Sequence, residues 1–351
     1  MTVYQIDPLQ DLRWPLFLAR HSRATVFHTP AWLEALRLTY GYEPFVLTTT
    51  PYGCDLQNGL VVCRVDSWLT GKRLVSLPFA DHCEPLVDDA ADWRALVSAL
   101  EQNVREEKVR YAEVRSLPAS ADGVSPFCLK ETYCLNRLDL TPDVNVLSSQ
   151  CHKDSTQRKI RRAEREGVCY EEGRSACLLD AFYRLLLVTR RRHHIPPQPV
   201  AWFRNLIDCF GEELTIHLAS ITGRPIAAIL TLRYKDTLVY KYGCSDARFS
   251  NLGGNQLLFW RAIQAAKHEG LRTLDLGRSD PENVGLITFK DRWGSKRFPL
   301  TYYRLYPAGR RAPNNVLAVA RKQTSVATWV LSHLPDRILT AAGNLLYKHT
   351  G

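Results

Sequence analysis

The sequence predicts an α/β (α+β) protein in which two domains each have a mixed central sheet flanked by helices, followed by a helical C-terminal tail. At 351 residues and 45% hydrophobic content, the chain can bury two cores. Strand-like runs separated by short turns alternate with amphipathic helical patterns in both halves. We therefore predict domains at 1–150 and 151–307 and a tail at 308–351.

The first half contains a helix with Thr29 as its N-cap and Pro30 as its first residue. The residues that follow predict an alternation of strands and one amphipathic helix: strands over 43–49, 59–65 and 111–115, a helix over 93–107, and two short strands within 124–140.

The second half begins with a highly charged helix that ends at Gly167 and continues with two amphipathic helices. Three strands follow, joined by short polar turns, which predicts an antiparallel meander over 214–220, 224–234 and 237–243. A closing strand is expected over 301–305, and the tail has the pattern of two amphipathic helices divided at Leu334-Pro335.

The stretch from Tyr240 to Gly294 is the most informative part of the chain. A strand ends at Gly243, a polar loop with two glycines leads into an amphipathic helix, and a second strand over 273–276 stops at Gly277. Four loop residues lie where the helix begins, at Asn251, Gly253, Gly254 and Asn255. Backbone N–H groups and the helix dipole make such a position a natural site for phosphate or carboxylate.

Two motifs at the end of this stretch carry a family resemblance. The chain has Asp-Leu-Gly-Arg at 275–278 and Phe-Lys-x-x-Trp-Gly at 289–294. With the strand, glycine turn, helix and strand before them, these motifs resemble the Fem-like branch of the GNAT acyltransferases, and the matching motifs extend from about Phe27 to Tyr306. The resemblance implies tandem GNAT-like domains. It also implies transfer of an acyl or aminoacyl group from an activated donor to an amine on a cell-envelope or exopolysaccharide precursor.

The resemblance also implies a set of site residues. Lys290 matches the motif lysine in the donor channel, where its ammonium would neutralise donor phosphate or a developing oxyanion, and a surface lysine is the alternative interpretation. Arg278, at a strand end, would hold a carboxylate or phosphate. The loop 251–255 would bind the donor, although Asn251 stands where the coenzyme A loop of GNAT enzymes usually has its first glycine.

Two donors stay open at this stage. Acyl-CoA is the donor of GNAT enzymes in general, and aminoacyl-tRNA is the alternative that Fem-like proteins use. The helical hairpin arm of some tRNA-dependent relatives is not evident in the sequence, which favours acyl-CoA. No metal is expected, because the adjacent His193 and His194 lack partners at ligand spacing.

The first half contributes a candidate general base. Asp81 and His82 follow a predicted strand, and a carboxylate or imidazole in a pocket can take a proton from an acceptor amine. The alternative is a loop pair that caps local backbone groups. No Gly-x-Ser-x-Gly motif is present, and Cys244 is read as a small buried thiol rather than a nucleophile.

The charge pattern predicts anionic partners. The formal net charge is +10, and basic residues crowd the helix that follows His152. Arg158 and Arg162 share one face of that helix and are the predicted anion or acceptor contacts, with a solvated helix as the alternative. tRNA is one candidate partner. The basic amphipathic tail suits either an anionic membrane surface or packing against the domain.

The sequence thus predicts a cytoplasmic acyltransferase that is at most peripheral to the membrane, since no secretion signal or membrane-length apolar run is visible. The alternative is a non-catalytic anion-binding module that retains the GNAT fold. In that case Lys290 would be dispensable and the Arg158/Arg162 pair essential.

Overall fold

A computed structural model describes residues 1–116, 126–307 and 335–350. These residues form two compact units. The first unit comprises the described parts of 1–132, 300–307 and 344–350, and the second comprises 133–299 and 335–343. The domain boundaries at 150 and 307 stay a prediction.

The first unit is a mixed sheet with helices. Its strands run in the order β1-β2-β3-β4-β5-β12, and all neighbours pair antiparallel except β4 and β5, which are parallel. The elements are β1 (Tyr4–Ile6), α1 (Arg13–Arg20), α2 (Pro30–Tyr40), β2 (Glu43–Thr48), β3 (Leu60–Val65), β4 (Arg73–Ser76), α3 (Ala90–Glu106), β5 (Ala112–Arg115) and the end of β12 (Lys296–Leu305).

Capping residues define where two helices of the first unit begin. Thr29 caps α2 through its hydroxyl, which accepts the N–H of Trp32, and Pro30 occupies the first position. Asp89 caps α3 in the same way. The apolar face of α3, including Trp93, Leu96 and Leu100, packs on the sheet.

The second unit repeats this plan with longer strands. Its strands run in the order β6-β11-β10-β9-β8-β7, and only β10 and β11 pair in parallel. The elements are β6 (Cys128–Asp139), α4 (Val144–Gln150), α5 (Arg158–Arg165), β7 (Cys169–Gly173), α6 (Ala176–Arg192), α7 (Val200–Phe210), β8 (Leu214–Ile221), β9 (Arg224–Tyr234), β10 (Thr237–Ser245), α8 (Gly254–His268), β11 (Thr273–Ser279), α9 (Val284–Asp291) and the start of α10 (Asp336–Thr350).

Each unit therefore consists of an antiparallel meander, a helix and a strand parallel to the last meander strand. In the first unit β2, β3 and β4 lead through α3 to β5, and in the second β8, β9 and β10 lead through α8 to β11. Because α8 crosses from β10 to β11, its apolar side, including Leu257, Phe259 and Ile263, is buried on the sheet. The predicted tandem α/β architecture is confirmed.

Three local predictions were wrong. The stretch predicted as two short strands is one strand, β6, from Cys128 onward, while 124–125 lie outside the described residues. β11 does not stop at Gly277 but continues to Ser279 through an irregularity after Asp275. The closing strand begins at Lys296 rather than 301, because β12 includes four exposed residues before its buried part.

The second half of the tail is helical, as predicted. In the second unit, Leu339 of α10 is fully buried and Gly343 approaches the carbonyl of Pro197 so closely that a Cβ would lie 2.1 Å from it. In the first unit, the hydroxyl of Tyr42 donates to the carbonyls of Tyr347 and Lys348, 3.1 Å from each. The first predicted tail helix lies outside the described residues. Within the residues that the structure describes, no helix is long and apolar enough to cross a membrane.

Candidate active site

The parallel strands of the second unit separate after a short ladder. β10 and β11 pair at three positions, ending with Val239 opposite Asp275, but β10 continues to Ser245 and β11 to Ser279. Beyond that point β11 pairs only with β6 among the described strands, through Arg278 and Ser279. Past this ladder the segments 240–245 and 276–279 do not pair with each other, and we call this point of divergence the opening.

A bulge at the Asp-Leu-Gly-Arg motif shapes one side of the opening. The carboxylate of Asp275, which is 2% exposed, accepts the backbone N–H of Gly277 at 2.7 Å. Gly277 has a φ of 71°, a left-handed conformation that glycine adopts without strain. The strand therefore turns locally at Gly277, and the carboxylate of Asp275 orients the backbone that follows it.

Lys290 holds the other end of this bulge. Its ammonium donates to the carbonyl oxygens of Gly277, at 2.8 Å, and Arg278, at 3.0 Å. The side chain is only 2% exposed, so the surface-lysine alternative is wrong. The two hydrogen bonds fix the position of the Lys290 Nζ group, which thus lies beside the opening.

Aromatic packing fixes the helix that carries this lysine. The ring of Phe259 on α8 lies 5.4 Å from Phe289 and 5.5 Å from Trp293, with the centroid of Tyr240 on β10 at 4.7 Å. These four rings connect β10, α8 and the Phe-Lys-x-x-Trp-Gly segment. The motif therefore has a structural reason: its phenylalanine and tryptophan anchor α9, and its lysine reaches β11.

The glycine turn lies at the N-terminus of α8, as predicted. Gly253 is the N-cap, with a φ of 78°, and α8 begins at Gly254. A Cβ on Gly253 would lie 2.2 Å from the carbonyl oxygen of Lys159, so α5 approaches this turn closely. Asn251 is exposed and Asn255 half-buried. The first N–H groups of a 15-residue helix thus stand at the loop that was predicted to bind the donor.

The basic helix lies against that loop. The ammonium of Lys159 reaches the carbonyl of Ser250 at 3.4 Å, and Ile160 and Ala163 are buried against α8. Arg158, with a side chain 76% exposed, lies 3.5 Å from Asp154, whereas Arg162 lies 3.4 Å from Glu166. Such exposed ion pairs contribute little to stability, so both guanidinium groups can exchange partners with a ligand at low cost.

Arg278 lies at the same strand end as the bulge. Its guanidinium carbon is 4.3 Å from the centroid of the Tyr133 ring. The structure therefore brings Arg278, Lys290 and the opening together in one unit. The donor loop 251–255 belongs to the same unit, at the end of β10. Their roles in binding stay predictions.

Asp81 and His82 lie in the first unit, in the loop between β4 and α3. This is the position that the glycine turn occupies between β10 and α8 in the second unit. The loop is held by its backbone: Arg115 donates to the carbonyl of Ala80 at 2.6 Å, and the hydroxyl of Tyr302 donates to the carbonyl of Asp81 at 2.5 Å. The imidazole of His82 is 7% exposed and packs 5.3 Å from Phe27.

A histidine behind this loop is held neutral. Burial lowers the pKa of His28 to about 4, against the opposing effect of its hydrogen bond with the carbonyl of Glu84. The nearby imidazole of His82 lowers it further. His28 is thus a structural residue, since its Nδ1 also accepts the N–H of Thr25 in the capping box before α2.

Cys244 is a buried thiol rather than a nucleophile. It is 4% exposed, and its sulfur lies 3.5 Å from the carbonyl of Phe182 and 3.6 Å from that of Ala228. Burial raises the pKa of the Cys244 thiol well above its usual range, so the thiolate that nucleophilic catalysis requires is disfavoured.

Two residues near the site are not distinguished by sequence patterns. Lys159 is one of several cations on its helix, yet it is the residue whose backbone and ammonium contact the glycine turn. Ser279, at the end of β11, is 2% exposed, and its hydroxyl has no hydrogen-bond partner among the described residues. Neither spacing nor residue type distinguishes this serine in the sequence, because the bulge that precedes it is a tertiary feature.

Comparison with known proteins shows similarity to acyltransferases in the second half of the chain. A GNAT acetyltransferase domain matches residues 152–290, which include the basic helix, the glycine turn and Lys290. The UDP-N-acetylmuramoylpentapeptide-lysine N(6)-alanyltransferase of Weissella viridescens is 30% identical over 111 residues, 31% of this chain and 33% of that protein. The chain is therefore similar to GNAT acetyltransferases over residues 152–290 and to this alanyltransferase over 111 residues. It spans only about a third of the length of this curated relative.

Solved structures share the fold of this chain. The crystal structure of FemX has a TM-score of 0.66 at 13% identity and covers 87% of this chain and 97% of its own. A tandem GNAT protein from the clavulanic acid biosynthesis pathway has a TM-score of 0.55 at 11% identity, and the match covers 89% of this chain and 99% of that protein. At such identities the likeness concerns the fold, and it agrees with the repeated plan of the two units.

The predicted absence of a metal stays a prediction. Across the described ranges, no group of three or more His, Cys, Asp or Glu side chains is arranged to hold a metal ion.

Proposed function

We propose that this protein transfers an acyl or aminoacyl group from an activated donor to the amine of a cell-envelope or saccharide precursor. The observation that carries the proposal is the divergence of β10 and β11 beside the buried ammonium of Lys290. A donor carbonyl lying in that opening would be within the field of a fixed positive charge, which favours the oxyanion of the transition state.

The chemistry needs positioning rather than a covalent intermediate. The acceptor nitrogen attacks the donor carbonyl carbon and a C–N bond forms. The C–S bond of a thioester or the C–O bond of an aminoacyl ester then breaks. One proton leaves the amine and reaches the departing thiol or hydroxyl. Asp81 and His82 are the proposed proton acceptors, and Lys290 the proposed stabiliser of the oxyanion.

We propose that the donor's phosphate groups bind at the glycine turn. The N-terminus of α8, with Gly253, Gly254 and Asn255, offers backbone donors, and Asn251 lies on the preceding turn. Arg158, Arg162 and Arg278 would add cations. Acyl-CoA and aminoacyl-tRNA both present phosphates to such a site. Both donors occur in the cytosol, which supports a cytoplasmic location as part of the proposal.

The named activity of the Weissella viridescens relative gives the acceptor that we propose to test first, a lysine-bearing UDP-N-acetylmuramoyl pentapeptide. Its ε-amine is a suitable nucleophile once it has lost a proton. An amine-bearing saccharide precursor is the second acceptor, as the wider family resemblance implies.

Calorimetric titration tests the donor assignment. Acetyl-CoA, a longer acyl-CoA and an aminoacyl-tRNA are titrated separately into the full chain at low and moderate salt. We expect one donor class to bind saturably at moderate salt, because shape and hydrogen bonds then add to charge. Binding that vanishes with salt for every donor would refute a built donor site.

A pair of variants separates catalysis from simple anion binding. If the protein is an enzyme, Lys290→Met abolishes turnover while the double variant Arg158→Ala/Arg162→Ala keeps part of it. If it is a non-catalytic anion-binding module, Lys290→Met retains the biological activity and the double arginine variant loses it. The second outcome would overturn the proposed reaction.

A further inference from the structure

The turn between β3 and β4 exposes two large apolar side chains. Trp68 is 78% exposed and Leu69 is 51% exposed. Burying side chains of this size is worth roughly 1.5–3 kcal/mol each, so their exposure in the isolated chain is costly. A tryptophan at the tip of a turn can insert into the surface of a binding partner, such as a lipid bilayer.

Hydrogen bonds order the turn that carries these side chains. The N–H of Thr70 donates to the hydroxyl of Ser67 at 2.9 Å, and the N–H of Gly71 donates to the carbonyl of Ser67 at 2.7 Å. Arg110 donates to the carbonyl of Thr70 at 2.8 Å. Ordering therefore costs little entropy when the turn meets a partner.

The last turn of α10 extends the apolar surface. The ring of His349 lies 5.4 Å from that of Trp68, and its Nδ1 lies 3.0 Å from the hydroxyl of Ser67. Leu345 and Leu346 are one helical turn earlier, exposed at 56% and 36%. We call Trp68, Leu69, Leu345 and Leu346 the apolar tip.

Three exposed cations belong to the segments that carry or contact the apolar tip. Lys72, with a side chain 60% exposed, lies 3.4 Å from the exposed Asp66, and Arg110 and Lys348 are exposed nearby. An open cleft of about 370 Å³ lies beside them. At the turn and the last turn of α10, the exposed cations Lys72, Arg110 and Lys348 outnumber the exposed carboxylate of Asp66. The surface is therefore apolar at its centre and basic at its edge.

We propose that the apolar tip and its basic edge dock on an anionic lipid bilayer. The charge is complementary to anionic headgroups, each nearby lysine or arginine contributing about 1 kcal/mol. Tryptophan and leucine flanked by cations are the side chains that bind at the bilayer interface. A stable protein interface buries about 800 Å² per partner, which is more than four side chains offer. This contact is independent of the proposed acyl transfer.

Vesicle co-sedimentation of the full chain tests the proposal, with no donor or acceptor present. The vesicles contain phosphatidylcholine alone or phosphatidylcholine with about 30% phosphatidylglycerol, the anionic content that the electrostatic term requires. We expect binding to the anionic vesicles to be about tenfold tighter than to the neutral ones, and to fall as salt rises. Equal binding to both, or no binding to the anionic vesicles, would overturn the proposal.

Matched variants locate the contact. Trp68→Ser/Leu69→Ser should reduce partitioning by about tenfold or more, because both apolar groups are lost. Leu12→Ser/Leu16→Ser removes two residues exposed at 80% and 64% on another surface of the same unit and should leave partitioning unchanged. Equal losses in both pairs, or no loss in the first, would contradict the assignment. If the first pair fails to melt cooperatively, Leu69→Ser alone replaces it, with a loss of severalfold expected.

Charge variants provide an independent check. Lys72→Ala/Lys348→Ala should weaken binding to anionic vesicles by about tenfold or more and leave binding to neutral vesicles unchanged. An unchanged preference for anionic vesicles would refute the electrostatic part. Transfer to a soluble amine should be unaffected in these variants, so failure of the membrane proposal and failure of the proposed function are distinguishable.

Discussion

Gly253→Ala tests the close approach of α5 to the glycine turn. The added Cβ would lie 2.2 Å from the carbonyl oxygen and 2.9 Å from the carbonyl carbon of Lys159. Both are backbone atoms, so the contact cannot be relieved by rotating a side chain. The start of α5 would have to move by about 1 Å, which disturbs the packing of Ile160 and Ala163 against α8.

The expected loss of unfolding free energy follows from comparison with a second glycine. Gly253 and Gly270 both have a φ of 78°, but a Cβ on Gly270 meets nothing within 4 Å. Gly270→Ala therefore measures the cost of the left-handed conformation alone, about 1 kcal/mol of unfolding free energy. Gly253→Ala adds overpacking, typically 1–3 kcal/mol, so its total should be about 3 kcal/mol.

Urea denaturation followed by circular dichroism gives both unfolding free energies, and donor titration gives the affinities. Gly253→Ala should lose at least about 1 kcal/mol more than Gly270→Ala. Donor binding should weaken in the first variant and persist in the second. Equal unfolding free energies would mean that α5 does not approach the turn closely. Unchanged donor affinity in Gly253→Ala would mean that the donor binds elsewhere.

Three further predictions concern buried groups. Lys290→Met should abolish turnover and lower the unfolding free energy by about 1–3 kcal/mol, because the carbonyls of the bulge lose their donor; steady-state kinetics and urea titration measure this. Glu113→Gln should cost about 3–5 kcal/mol, because Arg115 and Arg304 lose their charged partner. Burial would raise the pKa of Glu113, but those guanidinium groups lower it overall. Its contribution is therefore present above the unfolded pKa of 4.5 and is lost as pH falls through the lower folded value, so wild type and variant should converge in acid melts. Cys244→Ala should keep turnover within about twofold in the same kinetic assay, because the thiolate is disfavoured.

Controls make these results specific. Glu34→Gln removes an exposed pair with Arg37 and should cost less than about 1 kcal/mol. A similar cost for Glu113→Gln would refute the buried network. Lys290→Arg keeps a charge but not the fit of an ammonium between two carbonyls, so recovery of full turnover would argue against tight positioning. Inactivation by Cys244→Ala in a folded protein would restore the nucleophile hypothesis.

The sequence was informative where periodicity and turn chemistry decide the structure. The meander, the helix from the glycine turn and the strand parallel to it follow from alternation, helical spacing and the positions of Gly253 and Gly270. The short helices α4 and α9 were not predicted, since their residues form caps and tertiary contacts rather than a long amphipathic pattern. Strand ends were misplaced where a side chain overrides propensity, as Asp275 does at Gly277.

The candidate site was only partly predictable. The motif identified Lys290, but its burial and its two carbonyl partners depend on the bulge in β11. Arg158 and Arg162 were selected by spacing, whereas the tertiary structure brings the intervening Lys159 to the glycine turn. Sequence patterns report which face a residue occupies, while the separation of β10 from β11 is a property of the folded sheet.

The central claim is acyl transfer to an amine, and a transfer assay tests it most directly. The full chain is incubated with acetyl-CoA or alanyl-tRNA and with either a lysine-bearing UDP-N-acetylmuramoyl pentapeptide or an amino sugar, and the products are identified by mass spectrometry. We predict that one donor yields an N-acylated acceptor, that Lys290→Met yields none, and that Cys244→Ala yields as much as wild type. The absence of product from every donor and acceptor pair, or equal product from Lys290→Met, would contradict the account.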